Sequence, residues 1–171
     1  SGTSFKQALY FKEIGFNLHD TMIYQKNQSS LPDVSRYNQR FQYMFVFSKG
    51  KPKTINLIKD VKNIHGGKLN TTNTVREQDG HLSFREYGII PNFSVRGNVW
   101  TYNTGYNLSS KDKIAYQHPA IFPEKLAHDH IISWSNEGDL VLDPFCGSGT
   151  TCKMARQLHR DYIGIDISEE Y

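Results

Sequence analysis

Cysteine is scarce in this chain, two of 171 residues, Cys146 and Cys152. Neither has partners at metal-ligand spacing, and a disulfide between them would strain the turn they flank. A disulfide scaffold and a metal site are therefore not expected, and reduced thiols in a cytoplasmic compartment are. Long hydrophobic runs are missing too. No window approaches the roughly 20 apolar residues of a membrane span, and no charged segment precedes an apolar one as in a secretory signal, so no membrane partner is expected. The six prolines include no adjacent pair. No internal repeat or low-complexity tract is present. Acids are missing locally: from Arg36 to Lys53 the chain carries Arg36, Arg40, Lys49, Lys51 and Lys53 and no Asp or Glu, although overall charge is only +3. Such a stretch is an electrostatic footprint for a polyanion, with a solvated basic loop as the alternative.

What is there suits a soluble α/β domain. Hydrophobic residues make up 37% and aromatics 13%, enough for one core over residues 1–171 and too short for two comfortable ones. Ser4 and Gln7 suggest a capping box for a helix over 4–14, with Phe5, Ala8 and Leu9 on one face and Gly15 as its stop. Residues 20–24 and 41–47 follow as strands, the second nearly all aromatic or branched, with a surface loop over 25–38. Residues 49–95, rich in Asn, Thr, Gly and Lys, read as one long irregular insertion. Val99–Tyr102 returns to strand character. Pro123 is expected at the first position of a helix whose apolar stripe is Ala127, Ile131 and Trp134.

The most informative stretch is Asp143-Pro144-Phe145-Cys146-Gly147-Ser148-Gly149-Thr150-Thr151. An apolar run, Leu140-Val141-Leu142, leads into it and a helical pattern, Thr151, Met154, Ala155, Leu158, leads out. A second apolar run over 162–165 then ends on Asp166. That order predicts a strand, a Gly-rich turn, a helix and a second strand, with backbone N–H groups brought up to a ligand and a carboxylate placed for ribose hydroxyls. A phosphate-binding loop needs GxxxxGK[ST], which is missing, and a dinucleotide loop needs a third glycine where Cys152 stands. A loop that opens on Asp143 and holds no cation suits a ligand carrying an ammonium group better than a pyrophosphate. S-adenosylmethionine carries that ammonium and a ribose. An unspecialised Gly-rich turn is the bland alternative.

DPFCGSGTT followed by GIDISEEY resembles the cofactor-binding half of the amino-methyltransferases that modify DNA. Upstream, His118-Pro119-Ala120-Ile121-Phe122-Pro123-Glu124-Lys125-Leu126 resembles the HPAxFPxxL block that completes the methionine side of their cofactor pocket. That block order is the one of the permuted β class, and the match is dense over 98–171. The resemblance implies a Rossmann-like S-adenosylmethionine-dependent methyltransferase sheet, partial and in permuted order. Its cofactor residues would be Asp143, Phe145, Gly147, Ser148, Gly149, Thr150, Asp166 and Ile167, with His118, Phe122 and Pro123 closing the pocket. For His118 a hydrogen-bonded turn is an equal alternative.

The resemblance further implies double-stranded DNA as partner, contacted by the 49–95 insertion and by Arg36, Arg40, Lys49, Lys51 and Lys53; a homodimer is compatible with it. The target would be cytosine N4 or adenine N6, and HPAxFPxxL leans towards cytosine. Trp100 and Tyr102 are better placed in a core than on a flipped base. The family's catalytic block, [DNS]PP[YFW], has no counterpart here, so no catalytic residue is assigned. A longer protein, omitted segments or a second subunit would supply it, and loss of the block's strand would leave strands 20–24 and 41–47 to pair around a gap. Two competing classes remain. A nicotinamide dehydrogenase would also use Asp166 but has no use for HPAxFPxxL. A catalytically incomplete DNA-binding or regulatory remnant would fit the missing block.

Overall fold

The computed structural model describes residues 2–27, 34–35, 37–70, 74–84, 88–117 and 121–168. Its elements are α1 (Thr3–Glu13), β1 (Asn17–Lys26), β2 (Phe41–Ser48), β3 (Lys59–Lys62), β4 (Thr74–Arg76), β5 (Leu82–Phe84), β6 (Phe93–Val95) and β7 (Val99–Tyr102). A 3-10 turn (Ile114–Gln117) follows, then α2 (Glu124–Trp134), β8 (Leu140–Asp143), α3 (Thr150–Gln157) and β9 (Asp161–Gly164). They fall into two compact units, residues 57–96 and the remainder.

In the larger unit, α1 ends as its sequence requires and begins otherwise. Gly15 takes a left-handed φ of 101°, its N–H donates to the Lys12 carbonyl, and the Phe16 N–H donates to the Phe11 carbonyl, the pair of hydrogen bonds that closes a helix at a C-terminal glycine. The capping box does not form: Gly2 occupies the N-cap and no side chain caps the helix. Of its apolar residues only Ala8 is buried.

β1 is the centre of a three-stranded sheet ordered β2-β1-β7. It pairs antiparallel with β2, Thr21 opposite Phe45, and parallel with β7, Tyr24 opposite Trp100. The gap foreseen between strands 20–24 and 41–47 therefore does not exist, because the two satisfy each other's backbone groups directly. The break lies elsewhere. β8 and β9 form a separate parallel pair, and an apolar cavity of about 600 Å³ opens between β2 (Gln42, Met44) and β8 (Leu140, Val141), floored by Leu126, Ile131 and Trp134 of α2. On its far side from β1 and from β9 respectively, neither β2 nor β8 has a strand partner among the described residues.

α2 and α3 cover one face of β8–β9 through Ala127, Ile131, Met154 and Ala155, with Phe122, Val141 and Leu158 packed around them. Pro123 is the residue before the helix, with extended ψ of 132°, one position earlier than expected. Trp100 and Tyr102 are core residues at 5% and 7% exposure. Their polar ends are met by the Gly97 carbonyl at 3.0 Å and the buried Asp129 carboxylate at 2.8 Å.

The unit 57–96 is not irregular. β3 pairs with β6 and β4 with β5, both antiparallel, and Arg96 forms an ion pair with Asp60. Gly66 packs closely there: a Cβ would lie 2.8 Å from the Asn92 Cα. Three- and four-residue strands carry too little alternation to stand out from loop composition, which is why the sequence showed none.

Candidate cofactor site

The loop between β8 and α3 is built by continuing the strand ladder past its end. The Ile165 N–H donates to the Asp143 carbonyl and the Cys146 N–H to the Ile165 carbonyl, both at 2.9 Å. The chain then reverses: the Gly149 N–H donates to the Cys146 carbonyl at 2.8 Å, with φ of 48° at Gly147 and 77° at Gly149. Both values favour glycine, since a Cβ there would press on the backbone. Gly149 is the N-cap of α3 and no side chain caps the helix, so its first-turn N–H groups face outward.

Asp166 holds this loop in shape. One carboxylate oxygen accepts from the Gly147 N–H at 2.8 Å and the other from the Ser168 N–H at 2.9 Å. A carboxylate oxygen has room for a second donor, so the same group can tie the loop and still meet a hydroxyl. Asp143, half-buried, accepts from the Phe145 N–H through Oδ1 at 3.1 Å. Ser148 and Thr150 hydroxyls lie 3.4 Å apart, Thr150 being buried at 6%. Phe145 in the loop and Ile167 just after Asp166 stand exposed, at 87% and 103%.

Two features behind the loop had no sequence signal. A Cβ on Gly164 would lie 2.8 Å from Cys152 Sγ and 3.0 Å from Cys146 Sγ, so β9 packs against the loop and α3 only because that residue is glycine. Both thiols are free, and burial, with the neighbouring Cys146 and Asp143, pushes the Cys152 thiol up. Glu124 receives Lys153 Nζ at 2.7 Å and is hydrogen-bonded by Ser110. Burial would raise its pKa, but those two bonds and the nearby Lys153 charge together outweigh it and the carboxyl sits below its ordinary value.

Of the residues expected around the pocket, the structure brings together Asp143, Gly147, Ser148, Gly149, Thr150 and Asp166. Phe122 and Pro123 lie at the start of α2, Phe122 lining the same cavity as Thr151. His118 lies outside the described residues.

The basic stretch is divided. Arg36 is outside the described residues. Arg40 lies beside the end of β1, donating to the Asn27 carbonyl at 2.6 Å. Lys49, Lys51 and Lys53 follow the other end of β2 and line a 440 Å³ cavity with Trp134, Ser135 and Leu140, at the start of β8. Eight residues of extended strand, roughly 26 Å, separate the two groups, and the lysines sit at the end of the sheet opposite the glycine loop. Among the described residues no helix is long and apolar enough to cross a membrane, and no three metal-ligating side chains cluster.

A parallel βαβ unit with a glycine loop free of Lys and Arg and an acid just past the neighbouring strand is the arrangement that α/β proteins use to bind nucleosides. The profile of the family described as DNA methylase matches residues 3–171, and the chain belongs to that family. It is 59% identical to the orphan methyltransferase M.BamHII of Bacillus amyloliquefaciens over 173 residues, all of this chain and 65% of the relative. It is 34% identical to the DNA adenine methyltransferase YhdJ of Escherichia coli (strain K12) over 119 residues, 67% of this chain and 40% of that one. The PvuII DNA methyltransferase (cytosine-N4-specific) shares the fold at a TM-score of 0.67 and 20% identity, over all of this chain and 54% of its own. The chain thus spans less than two thirds of these relatives' lengths.

Proposed function

We propose that the protein containing this chain methylates DNA on an exocyclic amino group, cytosine N4 or adenine N6, with S-adenosylmethionine as donor. The observation that carries this is the bond between the Gly147 N–H and Asp166, which joins the glycine loop to a ribose-binding acid in a chain of the DNA methylase family. The site's chemistry fits that cofactor. Asp143 would face its ammonium, the loop at Gly147 and Gly149 leaves room for close approach, Asp166 would hold the ribose, and Phe145 and Ile167 offer apolar surface to adenine. When bound, the cofactor supplies an electrophilic methyl group. These residues would orient it; the Pro-Pro-aromatic block that would align the amine has no counterpart in these 171 residues.

DNA would meet the unit 57–96. From Val61 to Arg76 the sequence has Lys62, His65, Lys68 and Arg76 and no acid. Ligands of open α/β sheets bind at the carboxyl ends of the strands, so Arg40 remains a DNA contact and Lys49, Lys51 and Lys53 are poorly placed for one.

Radiolabelled methyl transfer to mixed-sequence DNA tests the assignment, with the longer gene product and with this chain. Activity from the longer product alone is expected. Inactivity of both would favour the regulatory remnant, and activity of this chain by itself would mean that the catalytic block has been misidentified.

A further inference from the structure

One polar cluster near the loop has no part in the proposed chemistry. Glu124 opens α2 directly after Phe122 and Pro123, and its backbone N–H donates to the Ser109 carbonyl at 2.9 Å. Its carboxylate takes Lys153 Nζ at 2.7 Å and the hydroxyl of Ser110, which is 4% exposed and also accepts the Asp112 N–H at 2.9 Å. Lys153 Nζ lies 3.8 Å from Asp112 as well. Glu124 and Lys153 are partly shielded, at 24% and 35% side-chain exposure, a setting in which a charge-assisted hydrogen bond is stronger than at a fully wet surface.

The cluster joins three segments that are distant in sequence. Lys153 is rigidly coupled to the glycine loop, because its own N–H donates to the Gly149 carbonyl at 2.8 Å. Glu124 is equally coupled to the Phe122–Pro123 segment. α3 presents neighbouring residues in different directions: Cys152 faces Gly164 on β9, whereas Thr151 faces the cavity with Phe122 and Leu126. Asp166, just past β9, meets the loop at the Gly147 N–H, and the Lys153–Glu124 pair ties the first turn of α3 to the start of α2.

We propose that Glu124 and Lys153 are positioning residues that set the spacing between the glycine loop and the Phe122–Pro123 segment, and so shape the end of the site that takes the amino-acid tail of S-adenosylmethionine. The proposal rests on the cofactor assignment above. With ribose at Asp166, the start of α2 at Phe122 and Pro123 would be left to receive the tail. The pair touches no reacting atom; it acts through the loop.

Calorimetry with two ligands tests this: S-adenosylmethionine, and 5′-methylthioadenosine, which keeps the nucleoside and lacks the tail. Glu124→Gln and Lys153→Met should each weaken S-adenosylmethionine by about tenfold, the loss of one such bond, while methylthioadenosine affinity stays within about twofold. The charge-swapped double variant, Glu124→Lys with Lys153→Glu, should recover part of the loss, limited by the carboxylate then facing Asp112 from position 153, with thermal melts confirming that all variants fold. Equal weakening of both ligands would reduce the pair to general structural support and overturn the proposal, as would no change in either. Failure of the unsubstituted protein to bind either nucleoside would instead overturn the cofactor assignment, and this proposal with it.

Discussion

At the scale of single residues, Asp166 and Gly164 do different work within three positions of each other. Asp166 shapes the loop through the Gly147 and Ser168 N–H groups before any ligand arrives. Asp166→Ala should thus lose both a ribose bond and loop order, weakening S-adenosylmethionine by at least about 1.5–3 kcal/mol. Unchanged affinity by calorimetry would remove Asp166 from the site. Gly164→Ala places a methyl where two sulfur atoms already sit within 3.0 Å. Overpacking of this kind costs about 1–3 kcal/mol, so a urea melt should show a lowered midpoint. Pairing the change with Cys152→Ala, which opens the space, should restore part of it. If the single variant melts like the parent, β9 can shift away from α3 without cost.

At the scale of elements, β2 determines what the basic stretch can do. A contiguous run of cations in sequence becomes two groups because an extended strand carries them to opposite ends of the sheet. Replacing Lys49, Lys51 and Lys53 by Gln should leave the salt dependence of DNA binding nearly unchanged. Replacing Lys62, Lys68 and Arg76 should flatten it, by roughly 0.9 in log–log slope for each phosphate no longer neutralised. Equal slopes for the second set and the parent would return 61–76 to solvent. The edges of β2 and β8 invite a second measurement. Both border the 600 Å³ apolar cavity, and Leu140 and Leu142 are 60% and 58% exposed, whereas parallel strands are normally covered on both faces. Amides on those edges should exchange within the fast range in this chain and become protected in the longer gene product. Fast exchange in both would mean that no strand fills the space.

At the scale of the whole molecule, pH should report on the packing between the three-stranded sheet and α2. Burial holds His130 below its ordinary pKa, with Asp129 opposing the shift only in part. The ring packs on Trp100 at 4.8 Å and against Met44 Sδ at 3.2 Å. A depressed pKa means that the unfolded chain takes up the proton first. The contribution is therefore whole above the unfolded value, 6.5, and is lost as pH falls from there through the folded one. Thermal melts should show stability declining below about pH 6.5, and His130→Phe should blunt that decline. An unaltered profile in the variant would assign the acid sensitivity to other groups.

Much of the site was legible because it is local. Within the 27 residues from Leu140 to Asp166, alternation, two glycines and a terminal acid dictate a strand, a reversal, a helix and a second strand, and each step depends mainly on near neighbours. The absence of a third glycine and of a loop lysine narrowed the ligand in the same way. What remained hidden depends on contacts between distant segments. The Glu124–Lys153 pair spans 29 residues, and nothing in either neighbourhood announces it. The need for glycine at 164 arises only when two thiols arrive from another element. The direct β1–β2 pairing and the division of the basic stretch follow from strand register and strand length, which the side-chain pattern alone does not specify. The βαβ unit and the chemistry of its loop follow from near neighbours, since backbone conformation there is set by residues a few positions apart. Which groups meet around that loop and which cations share an end of the sheet follow only from the fold, because both depend on where long-range packing carries side chains whose own sequence surroundings do not place them.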